Sequence, residues 1–180
     1  MTLIISYRSN KNTVVYSDSW FFQSWMVVEW KKVLYNSNFV LCLSWDIVIW
    51  KLMFEFIDNR KLYWFKSLMD ITDIYKQYTE YLSEHKMLIK WDKRVSSCVI
   101  LINKYWQYLL DLSWYIEEST NWFLVCWIYR ALPIYAFIKD WPEEWLEKLT
   151  SSSVQVSKPI VKYEFQHSIL HTPKITNIFE

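Results

Sequence analysis

The sequence predicts an α+β protein in which two antiparallel sheets pack face to face, with helix pairs on the outside. Three observations predict it. Over 180 residues the apolar pattern alternates between strand and helix periods, in the order strands, two helices, strands, two helices, strand. Hydrophobic residues make up 53% of the chain and charged residues 22%, ample for a buried core and far from a disordered composition. No linker or internal repeat divides the pattern, and the length suits one domain.

The first 43 residues read as short strands. Residues 3–8 and 13–17 are apolar and β-branched, joined by Ser9-Asn10-Lys11-Asn12 as a hairpin turn. Residues 26–28, 32–35 and 39–43 repeat the pattern, with Asn36-Ser37-Asn38 as the last turn. The period then changes. From Asp46 to about residue 59, Ile47, Leu52, Phe54 and Phe56 make a dense apolar helix that Ser44 or Asp46 can cap. A second helix, from about 67 to 84, aligns Leu68, Ile71, Ile74 or Tyr75, Tyr78 and Leu82 at spacings of three and four.

Strands resume at 95–103 and 107–112 around the turn Lys104-Tyr105-Trp106, with shorter ones at 115–116 and 123–126. Helices are expected at 132–139 and 142–149. The latter opens with Asp140-Trp141-Pro142-Glu143, a capping Asp with Glu three residues on and Pro in the first turn. A last strand at 159–165 closes a domain of residues 1–166, and residues 167–180 read as a polar tail without clear periodicity.

The chain has 13 tryptophans and no glycine, whereas average usage supplies about 7% glycine. Ser19-Trp20, Ser24-Trp25, Ser44-Trp45-Asp46, Trp91-Asp92, Ser113-Trp114, Asn121-Trp122 and Asp140-Trp141-Pro142 become turn sequences if each Trp is read as Gly. An indole has no reason to prefer a tight turn, which favours a residue without Cβ. We read most of these tryptophans as standing at glycine positions, as a UGA codon assigned to Gly in the source and to Trp in translation would produce. The alternative is a truly tryptophan-rich, glycine-free protein.

Composition narrows the partners. The net charge is +1 with no basic stripe or acidic tail, so nucleic acid is not expected. Cys42, Cys98 and Cys126 lie far apart in apolar runs without a CxxC, which suits reduced core thiols and supports neither a zinc ribbon nor a disulfide framework. No metal or cofactor is expected. The N-terminus lacks the pattern of a signal peptide. Residues 122–138 are largely apolar but are interrupted by Arg130 and Pro133, so a buried strand and helix explain them better than a membrane span.

Chemistry centres on Thr2. Removal of Met1 leaves a threonine whose hydroxyl is a nucleophile and whose α-amine, with an ordinary pKa of roughly 8, can serve as its base. Asp18 ends the second strand, Lys32 follows Trp30-Lys31, and Ser44-Trp45-Asp46 turns a strand into a helix. With Gly at 30 and 45 the chain reads D-x(11)-G-K-K and then S-G-D. Taken singly, Lys31 and Lys32 could be a solvated pair on an edge strand, and Asp18 could be a turn residue.

Together these residues resemble the proteasome β-subunit family, in particular the peptidase of the bacterial ATP-dependent, HslUV-type two-component protease. The resemblance runs from Thr2 to Phe165 and includes Leu110-Asp111-Leu112-Ser113-Trp114 before the second helix pair. It implies the αββα sandwich of an N-terminal-nucleophile hydrolase, and a threonine peptidase acting through an acyl-enzyme. It further implies a cytoplasmic, self-compartmentalised ring that takes polypeptide substrates, with an ATP-dependent unfoldase as partner.

By position, Thr2 matches the nucleophile and Lys32 the lysine whose charge lowers the pKa of the threonine. Asp18 matches the carboxylate that orients that lysine, and the backbone N–H of Trp45 the oxyanion donor. A glycine at 45 would leave the cleft open.

Two departures stand beside the match. The family's Gly-Ser-Gly falls on Trp127-Ile128-Tyr129-Arg130, which has no serine, and its late Asp and Ser fall within 151–157, which has no Asp. An inactive structural or regulatory subunit of the same fold is therefore the main alternative. Others are an N-terminal-nucleophile amidohydrolase for a small amide and an aromatic-rich binding module. His85, His167 and His171 are assigned no role.

Overall fold

The computed structural model describes residues 4–8, 11–18, 20–23, 26–29, 31–43, 47–63, 65–85, 98–111, 116–119, 122–126 and 160–177. The opening hairpin forms as its pattern requires. β1 (Ile4–Arg8) pairs with β2 (Asn12–Asp18), Ile4 opposite Ser17 and Arg8 opposite Thr13. Strand alternation sends Ile4, Ser6, Thr13, Val15 and Ser17 to one face, and all five are buried.

β3 (Trp20–Gln23) and β4 (Met26–Glu29) pair as a separate two-stranded sheet. β3 is a correction to the sequence reading, in which Trp20 belonged to a turn. The run Trp20-Phe21-Phe22 supplies the aromatic character that favours a strand.

The other strands complete two five-stranded antiparallel sheets. β5 (Val33–Tyr35), β6 (Phe39–Leu43), β7 (Cys98–Asn103), β8 (Gln107–Asp111) and β9 (Ile116–Ser119) stand in that order in one. The other has β10 (Trp122–Cys126), β1, β2, β11 (Ile160–Gln166) and β12 (Ile169–Asn177) in the order β10-β1-β2-β11-β12. β6 is buried along its whole length because both its faces are covered. Val40 and Cys42 join Val33, Ile100 and Ile102 against Ile4, Val15, Tyr163 and Phe165 of the facing sheet. Phe39, Leu41 and Leu43 point the other way, with Val99, Leu101, Tyr108 and Leu110, onto the helices.

Those helices are α1 (Ile47–Asn59) and α2 (Leu68–Glu84). α1 buries Ile49, Trp50, Met53, Phe56 and Ile57, at helical spacing. α2 buries Ile71, Ile74, Tyr75, Tyr78 and Leu82, while Leu68, expected in that stripe, is 42% exposed in the first turn. The Tyr78 hydroxyl donates to the Ile49 carbonyl and ties the two helices together. Ser67 opens α2 with a capping box. Its hydroxyl accepts from the Asp70 N–H at 3.2 Å, and the Asp70 carboxylate accepts from the Ser67 N–H at 3.0 Å.

Sheet, sheet and helix pair thus form three layers of the expected sandwich among the described residues. The second helix pair, expected at 132–139 and 142–149, lies outside the described residues. The reading that regular structure ends at Phe165 is corrected by β12, which pairs with β11, Val161 opposite Asn177. Its residues are mostly exposed, so neither face carries an apolar signal, and Pro173 reads as a strand breaker. At a sheet edge Pro needs no ladder donor.

Two outcomes follow. Trp50 is wholly buried in α1, where its indole is part of the core between helices and sheet. Trp50→Gly should cost at least about 4 kcal/mol, through the cavity and the helix-interior glycine; an unchanged denaturant midpoint would contradict the packing. The second concerns Asp70. The Lys66 N–H, then the Ser67 hydroxyl, hold the Asp70 carboxyl below its ordinary range. The depressed value makes this contribution full above the ordinary carboxylate pKa and lost as pH falls through the folded one. Asp70→Asn should flatten the acid limb of stability in urea titrations at pH 2 to 6 (roughly the carboxylate range), and an unaltered limb would contradict the cap.

Candidate active site

Lys32 is the residue of the expected constellation whose side chain the structure describes. It precedes β5, and its carbonyl accepts the Leu43 N–H at 2.7 Å, which extends the β5–β6 ladder beyond Val33 opposite Cys42. Its side chain is only 2% exposed. Lys31 differs: it is exposed, with its ammonium 4.2 Å from the Tyr35 ring centre. A solvated pair on an edge strand therefore describes Lys31 and not Lys32. A buried ammonium is tolerated only where opposite charge or acceptors compensate it, so the burial of Lys32 is a costly arrangement for a merely structural residue.

Asp18 is the last residue of β2, and its main chain pairs with Ile160 of β11. Its carboxylate is not among the described side chains. Thr2 and Trp45 lie outside the described residues, as do Trp127–Arg130 and 151–157. The elements that bracket them are described. Ile4, two residues after Thr2, lies opposite Ser17 in the ladder and in the same core cluster as Val33, the neighbour of Lys32. Leu43, two residues before Trp45, is held to Lys32 by main-chain bonding, and α1 begins at Ile47. Arg8 at the far end of β1 bonds the Asn103 and Lys104 carbonyls, and Asn103 lies opposite Phe39 whereas Val99 lies opposite Leu43. The start of β1, the end of β2, the start of β5 and the end of β6 therefore gather at one end of the sandwich.

Sequence reasoning missed the polar tie that holds β1 in place. The buried Ser6 hydroxyl donates to Oε1 of the buried Gln107, joining β1 of one sheet to β8 of the other. The available signal was a serine and a glutamine at inward positions of otherwise apolar strands. Cys42 behaves as the core thiol expected, since burial pushes its pKa up and keeps it protonated. The side chains of Cys98 and Cys126 are not described. Among the described residues no group of three or more His, Cys, Asp or Glu could hold a metal ion. No helix among them is long and apolar enough to cross a membrane.

No family model matches the chain, and no curated protein does. Solved structures do match it. BPH from Thiobacillus denitrificans superposes with a TM-score of 0.65 at 12% identity, covering 92% of this chain and 98% of its own. A second structure of that BPH is a complex with epoxomicin. The Anbu (Gly-1) mutant from Hyphomicrobium sp. strain MC1 gives 0.65 at 13% identity, covering 99% of this chain and 87% of its own. HslV from Trypanosoma brucei gives 0.60 at 11% identity, covering 92% and 99%. Two antiparallel sheets face to face, a helix pair packed on one of them and these neighbours lead to one conclusion: this α+β chain has the fold of the HslV-type, proteasome-like N-terminal-nucleophile hydrolases.

Proposed function

We propose that the chain is a threonine-type peptidase subunit of a proteasome-like ring, with Thr2 as nucleophile once Met1 is removed. The observation that carries the reading is Lys32, buried at the end of the sandwich where β1 begins. Two residues of chain reach at most about 7 Å, so Thr2 cannot stray far from Ile4. A lysine charge beside it would lower the pKa of the threonine amine and hydroxyl, and Asp18 would orient that lysine.

The hydroxyl oxygen then bonds to the substrate carbonyl carbon, and its proton passes to the α-amine. The oxyanion formed is stabilised by the main-chain N–H at position 45. The peptide C–N bond breaks, the leaving amine takes the proton, and an acyl-enzyme on Thr2 remains. Water, deprotonated by the α-amine, cleaves the ester and restores Thr2.

Polypeptide substrates, a self-compartmentalised ring, an ATP-dependent unfoldase and a cytoplasmic setting belong to the same proposal. They are supported by the likeness to HslV and to the BPH that forms a complex with epoxomicin. A second reading, an inactive structural or regulatory subunit, is favoured by the absence of a serine after Trp127 and of an aspartate in 151–157, since supporting groups position catalytic ones.

Hydrolysis of a mixed fluorogenic peptide library separates the two. The peptidase reading expects turnover that Thr2→Ala abolishes and that Lys32→Met, which keeps the buried volume without the charge, lowers about 100-fold or more. Elution volume should not change in either variant. Absence of turnover in the native protein would leave the inactive subunit, and full activity in Lys32→Met would contradict the role given to Lys32.

A further inference from the structure

At the other end of the sandwich the hairpin turns gather. Asn36–Asn38 joins β5 to β6, Lys104–Trp106 joins β7 to β8, and His167-Ser168 joins β11 to β12. They enclose a cavity of about 180 Å³ lined by Asn38, Tyr63, Lys104, Tyr105, His167 and Ser168, among others. At about 30 Å³ per water the space suits a ligand of a few heavy atoms.

Several acceptors around the cavity are already engaged. The Asn103 and Lys104 carbonyls accept from the Arg8 guanidinium at 2.9 and 2.7 Å. Asn103 Oδ1 accepts from the Tyr105 and Trp106 N–H groups, both at 2.7 Å. Asn36 Oδ1 accepts from the Asn38 and Phe39 N–H groups at 2.8 and 3.0 Å, and Ser37 Oγ from Asn38 Nδ2 at 3.2 Å. Asp58, the carboxylate beside Tyr63, is bound by Asn36 Nδ2 at 2.8 Å and by the Tyr63 hydroxyl at 2.9 Å.

Positive charge is concentrated at the same turn. Lys104 and Lys66 lie 4.9 and 5.4 Å from the Tyr105 ring centre, and Arg8 is fixed to the turn carbonyls. His167 is anchored from both sides: its Nε2 is 2.9 Å from Thr13 Oγ1, and its main-chain N–H donates to the Lys11 carbonyl at 3.0 Å. Internal bonding thus engages these acceptors, and Lys104 lines the cavity together with Ser37, His167 and Ser168, with Lys66 and Arg8 at the same turn.

We propose that this cavity binds a small oxyanion of carboxylate or phosphate type. The site is at the opposite end of the sandwich from Lys32 and does not depend on Thr2 chemistry. Carboxylate and phosphate share the recognising chemistry, so the test carries both. Amide NMR of the native chain would follow titrations with inorganic phosphate and with succinate, against sodium chloride at matched ionic strength.

Saturable shifts centred on Asn38, Lys104, His167 and Ser168, with at least one of the two anions, are expected. The anion that saturates identifies the class, and saturation by both indicates general oxyanion recognition. Lys104→Gln should weaken binding roughly fivefold, the scale of one exposed charge pair, while Lys76→Gln on the exposed face of α2 should leave it unchanged. Linear shifts matched by chloride, or an affinity indifferent to Lys104→Gln, would overturn the proposal.

Discussion

The fold depends on the burial of β1 between neighbours on three sides. In its own sheet β1 is paired on one edge by β10 and on the other by β2, so no edge is left free. Its inner face carries Ile4 into the core cluster that includes Val33, Val40 and Ile100 of the second sheet. The Ser6–Gln107 hydrogen bond then sets the lateral position of the strand, because a polar pair in an apolar interior cannot slide without being broken. The first described strand is thus fixed along both edges and across the core, which is the placement that the proposed nucleophile would need.

The second sheet links this interior to the helices. Each residue of β6 serves one core or the other, Val40 and Cys42 the inter-sheet layer and Phe39, Leu41 and Leu43 the helical layer. A change in helix packing therefore reaches the inter-sheet face through this strand and through β7, whose Val99 and Leu101 face the helices while Ile100 and Ile102 face the other sheet. β6 ends beside Lys32, and α1 starts four residues after Leu43. The buried lysine thus sits where the two sheets and the entry to the first helix converge.

Much of this was legible in the residues. Alternating apolar positions mark β1 and β2, continuous apolar runs mark the doubly covered β6 and β7, and the stripe of Ile71, Ile74, Tyr75, Tyr78 and Leu82 marks α2. β12 was not legible, since an edge strand held by main-chain pairing with most side chains exposed leaves no periodic trace. β3 was obscured by reading Trp20 as a turn residue. Of the site, the Lys31-Lys32 pair was visible but not which of the two is buried, since that depends on the β5–β6 register. Asp18 was legible as a strand end, whereas the Ser6–Gln107 tie spans 101 positions and has no local signature.

The proposed peptidase requires a free amine on Thr2 and a substrate cleft left open at position 45. A peptide-level mass map of the purified native protein, covering the N-terminus and positions 30 and 45, tests it most directly. A chain that begins at Thr2, with glycine masses at 30 and 45, is expected. Retention of Met1, or a true tryptophan at 45 closing the cleft, would contradict it.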